Sequence, residues 1–282
     1  MMTSTTLCKT IGGCLAALLF LTPIQALALP QHNPIPGGVA IVDLPVSDET
    51  TPRVFFNQQR VMVRRVDNKW QAVIGIPLDI KPGSHLLTLM KKQGSKELAF
   101  KVKNKKYATR HITIPNERMV SPSEKDIERH FREKPLIIAA LQTWTEQPEV
   151  ESNFILPVKG RLTSPFGLKR IYNKQYDRIR RHTGLDIAAP TGTPVIAPAR
   201  AKVIRIGDYF FTGNTVFLDH GQGLLSMYCH LSKVSVKEGD ELKRGDRIGD
   251  VGSTGRVNGP HLHWVISLNN TKVEPKLFID AR

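Results

Sequence analysis

Cysteine is nearly absent from the 282-residue chain: the three are Cys8, Cys14 and Cys229. The first two fall in a segment read below as a signal peptide, so the mature chain keeps Cys229 alone and cannot form an intramolecular disulfide. Stability must then come from core burial, with a metal as the remaining cross-link. Acids are also scarce, 25 against 40 Lys and Arg, for a formal net charge of +15. That surplus draws a protein to anionic polymers and surfaces. Nucleic acid is excluded by export and by the lack of any helix-turn-helix, zinc-finger or RNP-like pattern. Long apolar runs are missing too: the stretch from Ile11 to Leu21 is too short to span a bilayer comfortably, and Pro23 breaks it.

What is present begins with targeting. Lys9, that apolar run and Ala26-Leu27-Ala28 read as a secretory signal peptide over residues 1–28. An uncleaved anchor is the alternative, and a lipoprotein site at Cys14 is weaker because the apolar run follows that cysteine. Residues 29–38 are too rich in Pro and Gly for a regular element and read as an extended leader.

From residue 39 to about 114, short β-rich runs recur between turns: Val39–Leu44, Arg60–Val66, Trp70–Ile76, His85–Met90, Glu97–Val102 and His111–Ile114. The rhythm predicts a small β-sandwich-like domain over 29–118 with no clustered ligand residues. A helical connector follows over 119–150, starting at a capping serine in Ser121-Pro122-Ser123-Glu124 and carrying Ile127, Phe131, Ile137, Ile138 and Leu141. Pro135 is expected to split it into two helices. The connector should pack across both domains, with a lid over the C-terminal groove as the alternative. Glycine-punctuated strands from 151 to 282 then predict an antiparallel β domain, so the fold class is mainly β.

The chemistry concentrates in that last domain. His261-Leu262-His263-Trp264 reads as strand, and alternation puts His261 and His263 on one face. His182 and Asp186 offer a nitrogen and an oxygen from one short segment, and His263 a second nitrogen from a distant strand, which leaves a fourth zinc position for water. The ion would make that water a nucleophile near neutral pH and polarise a scissile carbonyl. No His-Glu-x-x-His occurs to supply a glutamate base, which leaves His230 and His261 as the proton carriers. If Tyr228-Cys229-His230 is strand, Tyr228 and His230 share a face and Cys229 points away, which argues against a Cys-His nucleophile.

With these residues stand Ser164-Pro165-Phe166-Gly167, His182-Thr183-Gly184-Leu185-Asp186, Tyr228-x-His230-Leu231, Gly252-x-Thr254-Gly255 and Gly259-Pro260-His261-Leu262-His263-Trp264. In this order the segment from about 154 to 278 resembles the lysostaphin-type, or LytM-domain, zinc metallopeptidases that cleave peptide cross-links in peptidoglycan. The resemblance implies one Zn2+ held by His182, Asp186 and His263, with His230 and His261 assisting the water and the oxyanion. It implies an antiparallel β domain whose groove is floored by the metal and walled by the basic stretch from Lys169 to Arg181. That wall should favour an anionic glycan or a free carboxylate. Arg178, Arg180 and Tyr228 are expected at the groove, and His220 in a structural role. None of the five site residues is replaced, as happens in inactive members, so an active periplasmic endopeptidase acting on stem peptides and cross-bridges is expected. The alternative is a non-catalytic envelope scaffold or activator of another hydrolase, and an envelope regulatory protein is a candidate partner.

Overall fold

The structure, a computed structural model, describes residues 30–47, 50–113, 121–174, 176 and 179–279. The signal-peptide reading of 1–28 lies outside these residues. Among those described, no helix is long and apolar enough to cross a membrane.

Seven strands build the first layer pair: β1 (Val39–Asp43), β2 (Val54–Phe56), β3 (Gln59–Arg60), β4 (Met62–Val66), β5 (Lys69–Gly75), β6 (Gly83–Met90) and β7 (Ser95–Val102). They form two antiparallel sheets, β1-β5-β4 and β3-β2-β6-β7, that close over Val54, Phe56, Trp70, Ile74, Leu87 and Phe100. The expected sandwich is therefore present, with β2 as a strand the sequence reading passed over.

The next strand, β8 (Thr109–Ile112), was counted with that sandwich in sequence but leaves it. It pairs in parallel with a strand of the C-terminal half, β10 below. Tyr107 anchors the departure: its hydroxyl donates to the Pro36 carbonyl at 2.7 Å, and its ring lies where a side chain at Gly167 would stand, 2.0 Å from a Cβ there.

An α-helix, α1 (Glu124–Leu141), follows. Its start is a capping box, with Ser123 Oγ accepting from the Asp126 backbone and Asp126 Oδ2 accepting from the Ser123 backbone, both at 3.3 Å. Pro135 does not divide it. The donor it lacks would have bonded the Phe131 carbonyl, and both residues lie on the exposed side, where water can serve that carbonyl. On the other side Ala140 and Leu141 pack with Phe217, Met227 and Val265. Helix α1 thus covers one sheet face of the C-terminal half, and none of its residues lines the groove, so the lid alternative fails.

That half comprises β9 (Arg161–Ser164), β10 (Lys169–Tyr172), β11 (Arg180–Arg181), β12 (Leu185–Ala188), β13 (Pro194–Ile196), β14 (Ala201–Tyr209), β15 (Gly213–Gly221), β16 (Leu224–Val234), β17 (Glu241–Leu242), β18 (Arg247–Val251), β19 (His261–Leu268) and β20 (Thr271–Val273). The main sheet runs β17-β14-β15-β16-β19-β12-β9, and a smaller one runs β11-β10-β8. Tyr228, Leu231, Leu262, Trp264 and Phe278 fill the core beneath, all fully buried.

The two halves are joined through turns. The leader from Pro30 to Gly38 is largely buried, with Gln31 N donating to Leu277 O and Gly37 N to Ile76 O. Asn269, in the left-handed region at φ 44°, opens the β19–β20 turn. Its side chain accepts from Gly75 N at 2.6 Å and donates to Gly75 O at 3.1 Å. Asn269→Ala is expected to destabilise the protein by about 2–4 kcal/mol, from two lost buried hydrogen bonds and a strained alanine. Asn269→Gly, which relieves the strain alone, should lose less. Denaturant unfolding of both variants checks this; equal losses would contradict it.

Candidate metal centre

Antiparallel pairing of β12 with β19 sets Asp186 directly opposite His263 and Ala188 opposite His261. Cross-strand partners present their side chains to the same face, so Asp186, His261 and His263 share one surface, while Leu262 and Trp264 enter the core. His182 precedes β12 and is clamped through its backbone, His182 N to Leu168 O and Gly167 N to His182 O.

Three ligand atoms converge there. His182 Nε2 lies 2.9 Å from Asp186 Oδ1, His263 Nδ1 lies 2.7 Å from the same oxygen, and the two nitrogens are 3.1 Å apart. His182 Nδ1 faces the Pro165 carbonyl at 2.7 Å. A carbonyl only accepts, so that nitrogen carries the proton and Nε2 presents a lone pair. Asp186 Oδ2 is engaged separately by Arg170 Nη2 at 2.8 Å, which turns Oδ1 toward the nitrogens. Lone pairs of a neutral imidazole and a carboxylate repel unless a cation stands between them. Neutral nitrogen and carboxylate oxygen are also the donors zinc prefers, at spacings near the roughly 3.3 Å of a tetrahedral shell. Among the described residues this is the group of three that can hold a metal ion.

Electrostatics agree. Burial works to raise the Asp186 carboxyl, but hydrogen bonds and charge from His182 and His263 outweigh it and hold the group far below the usual carboxylate range. Burial lowers His263 to about 4 against the pull of Asp186. Asp186 is thus held ionised, while burial disfavours the charged form of His263 beside it.

Two more imidazoles face the triad. His261 Nδ1 donates to Gly259 O at 2.9 Å, and its Nε2 lies 3.8 Å from Asp186 Oδ1. His230 Nδ1 donates to Thr254 O at 2.8 Å, and its ring centroid is 4.9 Å from that of His261. Burial, then the neighbouring His263 and His261, lower His230 to about 3.

Comparisons with known proteins follow this geometry. The family model described as "Peptidase family M23" matches residues 180–275, and "Peptidase family M23 N-terminal domain" matches 32–105. A solved structure, a putative peptidase M23 from Pseudomonas aeruginosa, is 42% identical, with a TM-score of 0.75 over 90% of this chain and 98% of that one. The chain belongs to peptidase family M23. Among curated relatives, peptidoglycan DD-endopeptidase ShyA of Vibrio cholerae is 39% identical over 41% of this chain. DD-carboxypeptidase/endopeptidase Mpg of Neisseria meningitidis is 43% identical over the same share. The aligned stretch spans about a quarter of the length of each, 26%.

In this M23 chain the path to His230 differs from plain strand alternation. Opposite Thr215 of β15, strand β16 carries two residues, Cys229 and His230, because pairing steps from Val216↔Tyr228 to Asn214↔Leu231. That bulge, with His230 in the left-handed region at φ 66°, turns the ring into the groove. Tyr228 therefore does not share a face with His230. It is fully buried in the core, its hydroxyl bonded to Ser226 Oγ at 2.8 Å, and the expectation that it lines the groove is corrected. Cys229 is buried beside Val265 and Met227, and burial raises its thiol to about 12. His220 is structural as expected, bonded to Arg200 O and Ser226 Oγ at 3.0 and 2.7 Å, and burial lowers it to about 4.

The M23 groove, of about 790 Å³, is lined by the triad, His230, His261 and a basic wall that includes Arg180. Arg178 lies outside the described residues. Sequence reasoning missed Arg110 on β8 and Arg256, which lies between the Gly252-x-Thr254-Gly255 motif and the ligand strand. It also missed the hold of Arg170 on Asp186. The basic run around Arg170 was the only available signal, and nothing in it singled out one arginine.

Proposed function

We propose that this protein is a zinc metalloendopeptidase that hydrolyses peptide cross-links of peptidoglycan. The carrying observation is the convergence of His182 Nε2, Asp186 Oδ1 and His263 Nδ1, within 3.1 Å of one another, on the floor of an open groove. These three residues would hold the ion. When bound, zinc supplies an activated water and a Lewis acid for the scissile carbonyl. His182 and Asp186 are oriented for this by Pro165 and Arg170.

His230 enters the reaction neutral, with Nδ1 tied to Thr254 O and Nε2 free to take the proton that the attacking water loses. It returns that proton to the amine nitrogen as the peptide bond breaks. His261, held the same way by Gly259 O, flanks the reacting atoms and steadies the proton in transit. The groove suits an extended peptide, and the M23 relatives named as a peptidoglycan DD-endopeptidase and a DD-carboxypeptidase/endopeptidase support a peptidoglycan cross-link as the substrate. Incubation with a strong chelator should abolish turbidity loss of purified sacculi, and stoichiometric zinc should restore it. Clearing that persists after chelation would contradict the proposal.

A further inference from the structure

Three arginines stand in one row across three strands. The register partners are Arg110 with Arg170 on β8 and β10, and Arg170 with Arg180 on β10 and β11. Their side chains share a face, with neighbouring Cβ atoms about 5 Å apart, and like charges so placed weaken a sheet. Arg170 is paired with Asp186 and donates to Ser164, whereas Arg110 and Arg180 are exposed at the two ends of the row. All three line the groove, and Arg256 reaches into it from the loop before β19. The Arg256 guanidinium lies 4.3 Å over the Phe211 ring and 5.9 Å from that of Tyr172.

These cations are within electrostatic reach of one another. Burial lowers Arg256, and Arg180 and Arg170 add to that shift. His130, edge-on to Phe211 at 4.8 Å, is likewise lowered first by burial and also by Arg180 and Arg256. Among the described residues lining the groove, five are arginines and the single acid is Asp186. A fold has no use for a rung of facing arginines, because removing a charge would strengthen the sheet. An anionic ligand seated on the row gives it one.

We propose that Arg110, Arg180 and Arg256 form a carboxylate-binding subsite of the groove, which selects peptide substrates bearing a free carboxylate beside the cleaved bond. This rests on reading the groove as a peptide cleft. Guanidinium forks pair with carboxylates through two parallel hydrogen bonds, which an ammonium cannot reproduce. Phe211 and Tyr172 hold the Arg256 fork flat before the ligand arrives, and Glu133 of α1 fixes that wall by accepting from Phe210 N at 2.8 Å.

The test is calorimetric titration of the zinc-loaded full chain with four versions of one uncross-linked tetrapeptide. One has both its terminal and its side-chain carboxylate free, two are singly amidated, and one is doubly amidated. The doubly amidated peptide should bind roughly 30-fold more weakly, and whichever single amide carries the loss identifies the carboxylate that is read. Arg110→Gln, Arg180→Gln and Arg256→Gln should each erase about threefold of that preference, and Arg256→Lys should not restore it. The melting temperatures of Arg110→Gln and Arg180→Gln should equal or exceed that of the parent. Equal affinity for all four peptides would overturn the subsite. So would a carboxylate preference that survives all three substitutions, which would belong to the metal instead. Zinc-dependent cleavage of free and amidated cross-linked peptides with equal kcat/KM would remove the subsite while leaving the peptidase reading intact. Failure to cleave either form would count against the peptidase, and the titration would still decide the subsite.

Discussion

His182→Ala should take up no stoichiometric zinc and lose peptide hydrolysis by about 10³-fold or more, the several kcal/mol that a Lewis acid and an activated water contribute. His182 supplies one of three converging ligand atoms, and its ring is fixed from behind by Pro165 O at 2.7 Å. Stability should report the same loss. Zinc at a hundred times its dissociation constant stabilises a native state that alone binds it by about 2.7 kcal/mol. The parent's melting temperature should therefore rise with added zinc while that of the variant stays flat. Scanning calorimetry with metal analysis of the dialysed protein checks both. A variant that still binds one equivalent and melts higher with zinc would place the ion elsewhere.

Gly184→Ala is expected to act at a distance of one atom. A Cβ at Gly184 would stand 2.6 Å from His263 Cε1, 2.8 Å from its Nε2 and 2.7 Å from the Trp264 carbonyl oxygen. That oxygen belongs to the β12–β19 ladder and cannot withdraw without parting the strands that hold Asp186 opposite His263. The ring yields instead and swings Nδ1 away from Asp186 Oδ1. Disturbing the support of a metal ligand typically costs 10- to 100-fold in metal affinity. Hydrolysis at limiting zinc should fall by a similar factor and recover in part with excess metal. Competition with a chromophoric chelator measures the affinity, and an unchanged value would mean that the His263 ring does not need its present position.

The legible and illegible parts of the molecule separate by range. His261 and His263 could be assigned to one face because strand alternation is local and needs no partner. Asp186 could be placed near them only by spacing and resemblance, although the pairing of β12 with β19 is what brings it there. The orientation of His230 was beyond reach: it depends on an extra residue in β16, and a bulge is a property of two strands rather than of one. For the same reason Tyr228, which alternation sent to the groove, is in the core. Pro135 has a strong local preference against helix interior, but it is overridden where the freed carbonyl faces solvent and the opposite face is packed. The arginine row joins residues 110, 170 and 180 through parallel and antiparallel pairings, so no sequence window contains it.

The decisive measurement is the mass of the muropeptides released from purified sacculi by the zinc-loaded protein. Conversion of cross-linked dimers to monomers by addition of one water, absent after chelation and absent with His182→Ala, is the predicted result. Intact dimers after digestion with demonstrably zinc-loaded protein, or cleavage that proceeds unchanged without His182, would contradict the account.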